Sequence, residues 1–452
     1  MITHHSHTYT KIGRRGFLTG LAATAAAAAV GAPSITLAEH SSRGRGYKFI
    51  FVFALGGWDP LAAFTRKFDA PLLDVEKHAY PVTIGDFELV GHEGRENLEA
   101  FFTNHKDRTV LLNGVSTRSV AHEVCERVSM TGSSSGSESD WPTLIASRGG
   151  QGRAMPALVL DGPTYPGDLE TLVARVGGAG QLDVLAGEFG IDDAGLTMPV
   201  EGITGPEVGG IIDSFIQRRA EAMARKTEDA LRRKRYAQMA TSTERAAVLK
   251  RKLVSGDLPI ARFYDPEHEA SRAFARAVQT LADGLSRTVT LTDQHPWDTH
   301  ADNRGQTPGL HNLFGLLDGL TRHLQATPGE MVGTLYEETI VVVLSEMGRT
   351  PQFNGGEEEG DDYEEGAQLF EGGRDHWPYT SAILTGGPVK GNRTFGAFTD
   401  RFTGVGVDPA SGELDPKSVG ISSAQLGATL LAIADIDPAG LIPNASPIQG
   451  IV

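Results

Sequence analysis

The stretch TIVVVLSEMGRTP, from Thr339 to Pro351, decides the fold class of this chain. Its first six residues are apolar or β-branched without interruption, which is typical of a strand buried on both faces of a parallel sheet. A carboxylate and a guanidinium follow the strand directly. A second block, RDHWP at Arg374 to Pro378, precedes another apolar segment, SAILTGG. Acidic and imidazole groups at strand ends form ligand and metal sites in open α/β sheets, so the two blocks indicate such a site.

The rest of the chain alternates between short apolar runs and helical stretches. The run YKFIFVFAL at 47–55 has no polar residue after Lys48 and predicts a central buried strand. Further elements are predicted as strands at 108–115, 155–162, 181–187, 288–292, 339–344 and 380–386, and as helices at 120–130 and 422–436. With a helical excursion over 207–290, this pattern predicts one α/β domain, a mostly parallel central sheet flanked by helices.

Residues 1–38 have the composition of an export signal. GRRGFL at Gly13 to Leu18 places two arginines before an Ala-rich region, and Thr36-Leu37-Ala38 offers small residues for cleavage. An ordinary membrane anchor is the alternative, but the apolar stretch is short and alanine inserts weakly. We therefore expect a twin-arginine signal peptide, recognised by the twin-arginine translocase. The mature chain at 39–452 should be periplasmic or secreted and should not span a membrane.

The charge of the chain limits its partners. The net charge is −16, and the first 38 residues carry three basic and no acidic side chains, so the remainder carries −19. This argues against nucleic acid or an anionic membrane surface as a main partner. The single cysteine, Cys125, excludes an intrachain disulfide framework.

Two regions depart from the average charge. Residues 218–252 contain twelve Lys/Arg and four Asp/Glu, which predicts a solvated helical face or else a partner surface. Residues 355–366, GGEEEGDDYEEG, begin an acidic loop that extends to 374. We expect this loop to be a solvated insertion, or a lid or cation-gathering segment beside the predicted site.

Several acidic and imidazole side chains fall just beyond the predicted strands or before the last one. They are Asp59, Asp298, His300, Glu346 and His376. A parallel sheet brings such loop tips to one edge, and mixed carboxylate and imidazole ligands suit a divalent metal, which could be Zn²⁺, Mn²⁺ or Ca²⁺. Each residue alone is as readily a cap or a solvated side chain. Together they are predicted metal ligands, and a metal there would polarise an ester oxygen.

The blocks LGGWDP, WDTHADN, LSEMGRTP and DHW, with the closing ATLLAIADIDP, resemble the DUF1501 family of exported, uncharacterised proteins. That family is similar to the sulfatase and alkaline phosphatase superfamily. The resemblance implies an alkaline-phosphatase-like core and a pocket for a small anionic ester. It also implies that Asp59 begins the metal site, that Asp298 and His300 serve one metal, and that His376 is the last metal histidine. Glu346 stands where the superfamily has the first residue of an Asp-His pair.

Two positions depart from the superfamily pattern. Met347 stands where a metal histidine is expected. The covalent nucleophile should lie nine residues before Thr131, where this chain has His122, and Cys125 is three residues late. Four interpretations of His122 remain open: a third imidazole ligand of a single-metal site, a nucleophile or acid/base group, part of a pocket kept for binding alone, or a helix cap.

The remaining candidates have less distinctive surroundings. Arg349 is predicted either to contact an anionic substrate oxygen or to form a structural ion pair. If a covalent step persists, the hydroxyl candidates are Ser119, Ser129 and Thr131. The predicted function is that of a metal-dependent hydrolase of a phosphate or sulfate ester. The alternative is a non-catalytic exported binding or assembly protein that retains the pocket.

Overall fold

The computed structural model describes residues 46–176, 182, 190–191, 197–198, 206–252, 258–331, 333–354, 372–442 and 444–452. Residues 45–452 form one compact unit. The predicted signal peptide, most of the predicted strand at 181–187 and most of the acidic loop lie outside the described residues.

A nine-stranded sheet runs through the middle of this unit. Its strands, numbered along the chain with those of the smaller ladders, are β1 (Lys48–Phe53), β4 (Thr109–Ser116), β5 (Ala157–Val159), β6 (Val173–Arg175), β9 (Thr288–Thr292), β10 (Thr339–Leu344), β13 (Tyr379–Gly386), β14 (Arg393–Phe395) and β18 (Ile421–Ser422). The order is β14-β4-β13-β10-β1-β9-β5-β6, with β18 beside β4. Only β13 is antiparallel to its neighbours. The predicted mostly parallel α/β fold is confirmed.

Short ladders and ten helices complete the described part. The ladders are formed by β2 (Ala79–Ile84) with β3 (Phe87–His92), β7 (Gly190–Ile191) with β8 (Thr197–Met198), β11 (Gly348–Arg349) with β12 (His376–Trp377), and β15 (Ala397–Phe398), β16 (Gly404–Val407) and β17 (Leu414–Asp415). The helices are α1 (Glu96–His105), α2 (His122–Thr131), α3 (Trp141–Ser147), α4 (Pro206–Lys226), α5 (Ala230–Lys252), α6 (Ile260–Phe263), α7 (Ser271–Ala282), α8 (Gln306–Ala326), α9 (Leu335–Glu338) and α10 (Ser423–Ile433). None of these helices is long and apolar enough to cross a membrane.

The predicted central strands and helices appear close to their predicted positions. The strand at 47–55 is β1, the helix at 120–130 is α2, and the final helix is α10. The stretch 207–290 contains α4 to α7 and ends in β9. The β2–β3 hairpin and the short strands after β13 were not predicted, because their alternation of buried and exposed residues is too brief to stand out.

The sheet is covered on both faces, which explains why its strands are apolar throughout. Side chains alternate along a strand, so Phe49, Phe51 and Phe53 pack on one face while Ile50 and Val52 pack on the other. Helices α1, α7 and α8 cover the second face, and α2, α3 and α10 cover the first. Each fully buried large apolar side chain contributes about 1.5–3 kcal/mol. The result is a three-layer α/β/α core that holds the strand ends rigidly.

One buried ion pair lies at the start of the two central strands. Lys48 opens β1 and Glu338 immediately precedes β10, and both side chains are 1% exposed. The Lys48 Nζ lies 3.1 Å from Glu338 Oε2 and 3.0 Å from Glu330 Oε2. The carboxylate of Glu338 also accepts the backbone N–H groups of Glu330 and Met331. The pair therefore sets the register of β1 against β10.

Replacing Lys48 by Met should reduce the free energy of unfolding by about 3–5 kcal/mol, because it leaves the Glu338 carboxylate buried without a cation. The double variant Lys48→Met/Glu338→Gln should recover most of that loss. Urea unfolding at neutral pH measures both. A cost below about 1 kcal/mol for the single variant would show that the pair does not hold the strands together.

Candidate metal centre

The topology gathers the predicted site residues at one edge of the sheet. The parallel strands β1, β9 and β10 end at this edge, and β4 does too because both β4 and β10 are antiparallel to β13. Since β13 runs the other way, it begins there, directly after His376. Loops far apart in sequence therefore meet in space, such as the loop after β1 and the segment before β13; Trp58 and Thr380 are in contact although 322 residues separate them.

The turn after β1 depends on two glycines. Gly56 has φ +121° and Gly57 has φ +90°, values that side chains disfavour. A Cβ on Gly56 would lie 2.6 Å from the backbone nitrogen of Asp298, and one on Gly57 would lie 2.9 Å from Met347 Cγ. The glycines allow the loop after β1 to pack directly against the loops after β9 and β10.

A small ladder joins the two sequence blocks that first indicated a site. Strands β11 and β12 pair antiparallel, with Gly348 opposite Trp377 and Arg349 opposite His376. The SEMGR block after β10 and the DHW block before β13 are thus neighbours. This pairing places His376 beside the loop that carries Asp298.

Three side chains converge at this edge with the spacing of a metal site. One ligand atom each from His122, Asp298 and His376 lies within 4.8 Å of the others. His122 Nε2 is 3.5 Å from Asp298 Oδ2, and His376 Nε2 is 3.3 Å from Asp298 Oδ1. The two imidazole rings meet edge to face with their centroids 4.4 Å apart. The side chains are about a quarter to two fifths exposed, at 32%, 39% and 26% in chain order, so the centre is open to solvent.

Groups behind the two histidines fix which ring nitrogen faces the centre. His122 Nδ1 donates to Glu346 Oε1 at 2.9 Å, and His376 Nδ1 donates to the Val120 carbonyl at 3.0 Å. With Nδ1 engaged in this way, Nε2 of each ring faces the Asp298 carboxylate. Metal-binding histidines are usually oriented by a carboxylate or carbonyl in this way.

The convergent lone pairs fit a bound cation. His122 Nε2 is buried and has no hydrogen-bond partner in the described residues, although Asp298 Oδ2 lies 3.5 Å away. Two nitrogen lone pairs facing a carboxylate repel it unless a cation or a proton lies between them. Two imidazoles and one carboxylate form the donor set of many Zn²⁺ and Mn²⁺ sites, whereas Ca²⁺ prefers oxygen ligands alone.

The electrostatics keep the carboxylate ionised. Burial alone would raise the pKa of Asp298, but hydrogen bonds from His300 and Arg349 outweigh it and hold the pKa well below its usual range. The hydrogen bond to Glu346 raises the pKa of His122 above its usual value, against the effect of burial. Without a metal, a proton on His122 therefore competes for the site at higher pH than for an ordinary imidazole.

The Arg349 side chain makes the ion pair that one of its two predicted alternatives requires. It is fully buried, and Nη2 lies 2.9 Å from Asp298 Oδ1. Its remaining donors are taken by backbone carbonyls of Gly56, Gly57, Trp297 and Arg374. With its donors so occupied, the guanidinium is placed to hold the loops together and not to contact a substrate.

Asp59 lies outside the group of three. It is fully buried, Oδ1 accepts the backbone N–H of Leu61 at 3.0 Å, and Oδ2 lies 3.5 Å from Arg374 Nε. The Asn303 amide also reaches Oδ2, at 3.4 Å. These contacts describe a carboxylate that closes the turn after β1. Among the described residues, the group of converging ligand atoms does not include Asp59. Metal binding by Asp59 therefore stays a prediction.

The other two predicted ligands contact the group of three from its edges. Glu346 is fully buried behind His122, and the same Oε1 accepts the Gly56 backbone N–H at 2.6 Å. His300 lies on the solvent side, 60% exposed, with Nδ1 2.9 Å from Asp298 Oδ1. Met347, where the sequence resemblance led us to expect a metal histidine, is fully buried and provides only a thioether.

His122 opens helix α2, at the position where the sequence resemblance led us to expect a nucleophile. Thr131 is nine residues further on, roughly 13 Å along the helix axis, and its hydroxyl donates to the Arg127 carbonyl. Ser129 is buried in the same helix, also far from its N-terminus. Burial raises the pKa of the Cys125 thiol, which leaves it unreactive. Of the open interpretations of His122, the geometry favours a third ligand.

Several contributors to the site carried no sequence signal. The Val120 carbonyl is a backbone group, Gln306 lies in none of the quoted sequence blocks, and Asn303 ends the WDTHADN block without having been predicted to contact Asp59. Gln306 Oε1 accepts the Asp59 N–H at 2.8 Å, while its amide donates to the Trp297 carbonyl at 3.1 Å. Only the three-dimensional packing of the loops reveals these roles.

The family of the chain follows from its match to a family model. A model described as "Protein of unknown function (DUF1501)" matches residues 47–443, and the chain therefore belongs to that family. The resemblance seen in the sequence is confirmed. No curated protein matches the chain.

Solved structures of similar fold include three with informative descriptions. A lipoteichoic acid synthase from Listeria monocytogenes has 9% identity and a TM-score of 0.36, covering 90% of this chain and 74% of its own. A putative sulfatase from Bacteroides thetaiotaomicron has 9% identity, a TM-score of 0.33 and the same coverages. A phosphoglycerate mutase from Leishmania mexicana has 9% identity and a TM-score of 0.34, covering 89% and 97%. Similarity at this level does not indicate a shared activity.

The loop that carries Asp298 and His300 rests on a buried acid. Asp293 follows β9 directly, and its two carboxylate oxygens each lie 3.0 Å from Trp297 Nε1. Burial raises the pKa of Asp293 to about 7. The folded protein therefore keeps this proton up to about neutral pH, whereas the unfolded chain releases it near its ordinary value of 3.8.

Asp293→Asn should be more stable than the parent protein above pH 7, by roughly 2–4 kcal/mol, with the difference shrinking as the pH falls toward 4. The sign follows from the two pKa values. Between about pH 4 and pH 7 the unfolded chain has released this proton while the folded protein keeps it, so the parent protein loses stability as the pH rises through this range. Asparagine carries no such proton and avoids the loss. Thermal unfolding from pH 5 to pH 8 measures the difference, with Asp69→Asn at an exposed position as the control. A constant difference across this range would contradict the assignment.

Proposed function

We propose that this protein is an exported hydrolase of an anionic ester that uses one divalent metal, held by His122, Asp298 and His376. The observation that carries the proposal is the convergence of two Nε2 lone pairs on the Asp298 carboxylate, with His122 Nε2 otherwise unpartnered. A bound divalent ion supplies Lewis-acid polarisation of an ester oxygen and of a water molecule. The donor set favours Zn²⁺ or Mn²⁺.

The side chains around the centre orient its proposed ligands. Glu346 accepts a hydrogen bond from His122 Nδ1 and so keeps Nε2 directed to the centre. Arg349 and His300 hold Asp298 as a carboxylate. Because His300 uses Nδ1 for that bond and is mostly exposed, its other ring nitrogen is placed to serve as a fourth ligand or to exchange a proton with solvent.

A single metal is proposed because the positions for a second one are taken. The superfamily histidine is replaced by the buried Met347 thioether, which binds hard divalent ions poorly. The Asp59 carboxylate is enclosed by Arg374, Asn303 and backbone N–H groups. The absence of a nucleophilic hydroxyl at His122 supports direct attack by water, without a covalent intermediate on the protein.

The second candidate is an exported metal-binding protein that has lost turnover. The same observations favour it, because His122 in the nucleophile position and Met347 in a ligand position are the two losses that disable a two-metal ester hydrolase. Both candidates require the metal and differ in hydrolysis. Export in either case rests on the twin-arginine pattern at Arg14-Arg15 and on the small residues up to Ala38.

The purified chain, dialysed against Zn²⁺ or Mn²⁺, should retain about one metal ion per molecule by elemental analysis. His122→Ala, Asp298→Ala and His376→Ala should each lose it. Glu346→Gln should weaken binding by roughly 10–100-fold, because Glu346 orients a ligand without being one. His78→Ala, an exposed histidine elsewhere, is the matched control. Metal retained in all three alanine variants would contradict the proposed ligand set.

Metal affinity should fall as the pH decreases from 8 to 5.5. A proton on His122 competes with the metal, and the raised pKa of this histidine makes the loss begin nearer neutrality than for an ordinary imidazole. Competition with a chromophoric chelator measures the affinity at each pH. An affinity that does not change over this range would mean that His122 is not a ligand.

The metal-loaded protein should hydrolyse members of a panel of aryl phosphates, phosphonates and sulfates, and chelation should abolish the activity reversibly. His376→Ala should lower the rate by at least about 100-fold, while Ser119→Ala and Cys125→Ser should change it little, because no covalent step is proposed. A large loss in Ser119→Ala would indicate a covalent route instead. Full metal loading without hydrolysis of any panel member would favour the second candidate.

A further inference from the structure

Helices α4 and α5 form a hairpin beside the edge of the central sheet. Residues 227–229 join them, and the two helices pack along their lengths. Helix α5 faces the rest of the unit, since Lys234 Nζ lies 3.6 Å from Glu170 Oε1 and Arg245 donates to the Thr171 carbonyl at 2.5 Å. The main contacts of α4 among the described residues run to α5, so α4 is the outer helix.

The outer helix exposes an apolar face. Ile211, Ile212 and Phe215 are 67%, 45% and 58% exposed. Positions i, i+1 and i+4 lie on one side of a helix, so the three side chains form one patch. Single exposed apolar residues are ordinary, but three neighbours on one helix face mark an interaction surface more often than chance exposure.

Basic side chains border this patch on its C-terminal side and continue to the tip of the hairpin. Arg218 and Arg219 follow Phe215 by one helical turn on the same side. The exposed basic residues nearer the tip are Arg225, Lys226, Arg232, Arg233, Lys234 and Arg235. Residues 206–252 contain twelve Lys/Arg and six Asp/Glu, so the hairpin carries a local charge of +6 in a chain whose net charge is −16. The charge of the hairpin is therefore opposite in sign to that of the whole chain.

We propose that the α4–α5 hairpin docks on the surface of an anionic lipid bilayer. Ile211, Ile212 and Phe215 enter the headgroup region, and the arginines around them contact lipid phosphates. An apolar helix face bordered by arginines is the pattern of helices that lie in a membrane interface. The clustered positive charge is complementary to an anionic leaflet.

The local charge of the hairpin, and not the net charge of the whole chain, determines its attraction to a bilayer. Screening limits electrostatic attraction to about 8–10 Å at physiological salt, so a bilayer responds to the side chains that touch it. The net charge of the chain argues against a membrane as a general partner but not against contact through this one hairpin. Because no described helix is long and apolar enough to cross a bilayer, the contact is peripheral.

The apolar patch favours a lipid bilayer over other anionic partners. Nucleic acid binding relies on phosphate contacts from Lys and Arg, and three exposed aliphatic and aromatic side chains contribute little to it. A second copy of this acidic chain could also attract the basic hairpin. Experiment distinguishes self-association from membrane binding, because self-association requires no lipid.

A fluorophore placed on the patch tests the proposal in the full chain. Phe215→Cys is labelled with an environment-sensitive dye, and the buried Cys125 does not compete for the label. Vesicles of phosphatidylcholine with phosphatidylglycerol should shift the emission to the blue, and salt should reverse the shift. Phosphatidylcholine alone should not shift it. The same dye at Val419→Cys, which is 74% exposed on another surface, should not respond. The local readout excludes signals from membrane contact by residues 1–38.

Charge reversal gives the second test. R218E/R219E and R232E/R235E should each reduce the vesicle-bound fraction of the chain by roughly tenfold or more. R401E/K417E reverses two exposed basic residues elsewhere and should leave it unchanged. Metal content should not change in any of these variants, so failure here is separate from failure of the proposed hydrolase. A silent label at position 215 with anionic vesicles overturns the proposal, as does a response to DNA or to protein concentration alone.

Discussion

The structure of the candidate centre depends on one buried guanidinium. Arg349 donates to carbonyls in the loop after β1, in the loop after β9 and in the segment before β12, and it also contacts the Asp298 carboxylate. Removing it would take away a donor that several buried carbonyls share and would leave the carbonyls of Gly56 and Arg374 without this partner, which is costly in a low-dielectric interior. The sheet brings the loops to one edge, and Arg349 holds them at the distances that a metal site requires.

The same packing explains why the described residues offer only one converging set of ligand atoms at this edge. Around Asp298 the loops leave two imidazole nitrogens and a carboxylate directed to one point. Where a second metal would need ligands, the chain has the Met347 thioether and an Asp59 carboxylate that closes its own turn. The described residues thus offer one converging set of ligand atoms at this edge. In the proposed metal centre, His122 is held by Glu346 from behind and supplies one of the ligands.

Much of the fold was predictable from the sequence, because the sheet is buried on both faces and its strands are continuous apolar runs. The site was predictable in part. Asp298 and His376 follow the strand-end rule, and His122 was identified only through the spacing to Thr131. The division of roles was not predictable, since it depends on distances: Glu346 lies behind a ligand, Asp59 pairs with Arg374, and Arg349 binds carbonyls. Backbone groups such as the Val120 carbonyl leave no trace in a residue pattern.

The most direct test of the central claim is an anomalous difference map from crystals grown with Zn²⁺ or Mn²⁺. The account predicts one strong peak, about 2.0–2.2 Å from His122 Nε2, from His376 Nε2 and from an Asp298 carboxylate oxygen. It predicts no peak beside Asp59 or Met347. A metal-free map, or a peak coordinated by Asp59 and Glu346 with His122 directed elsewhere, would contradict the single-metal centre.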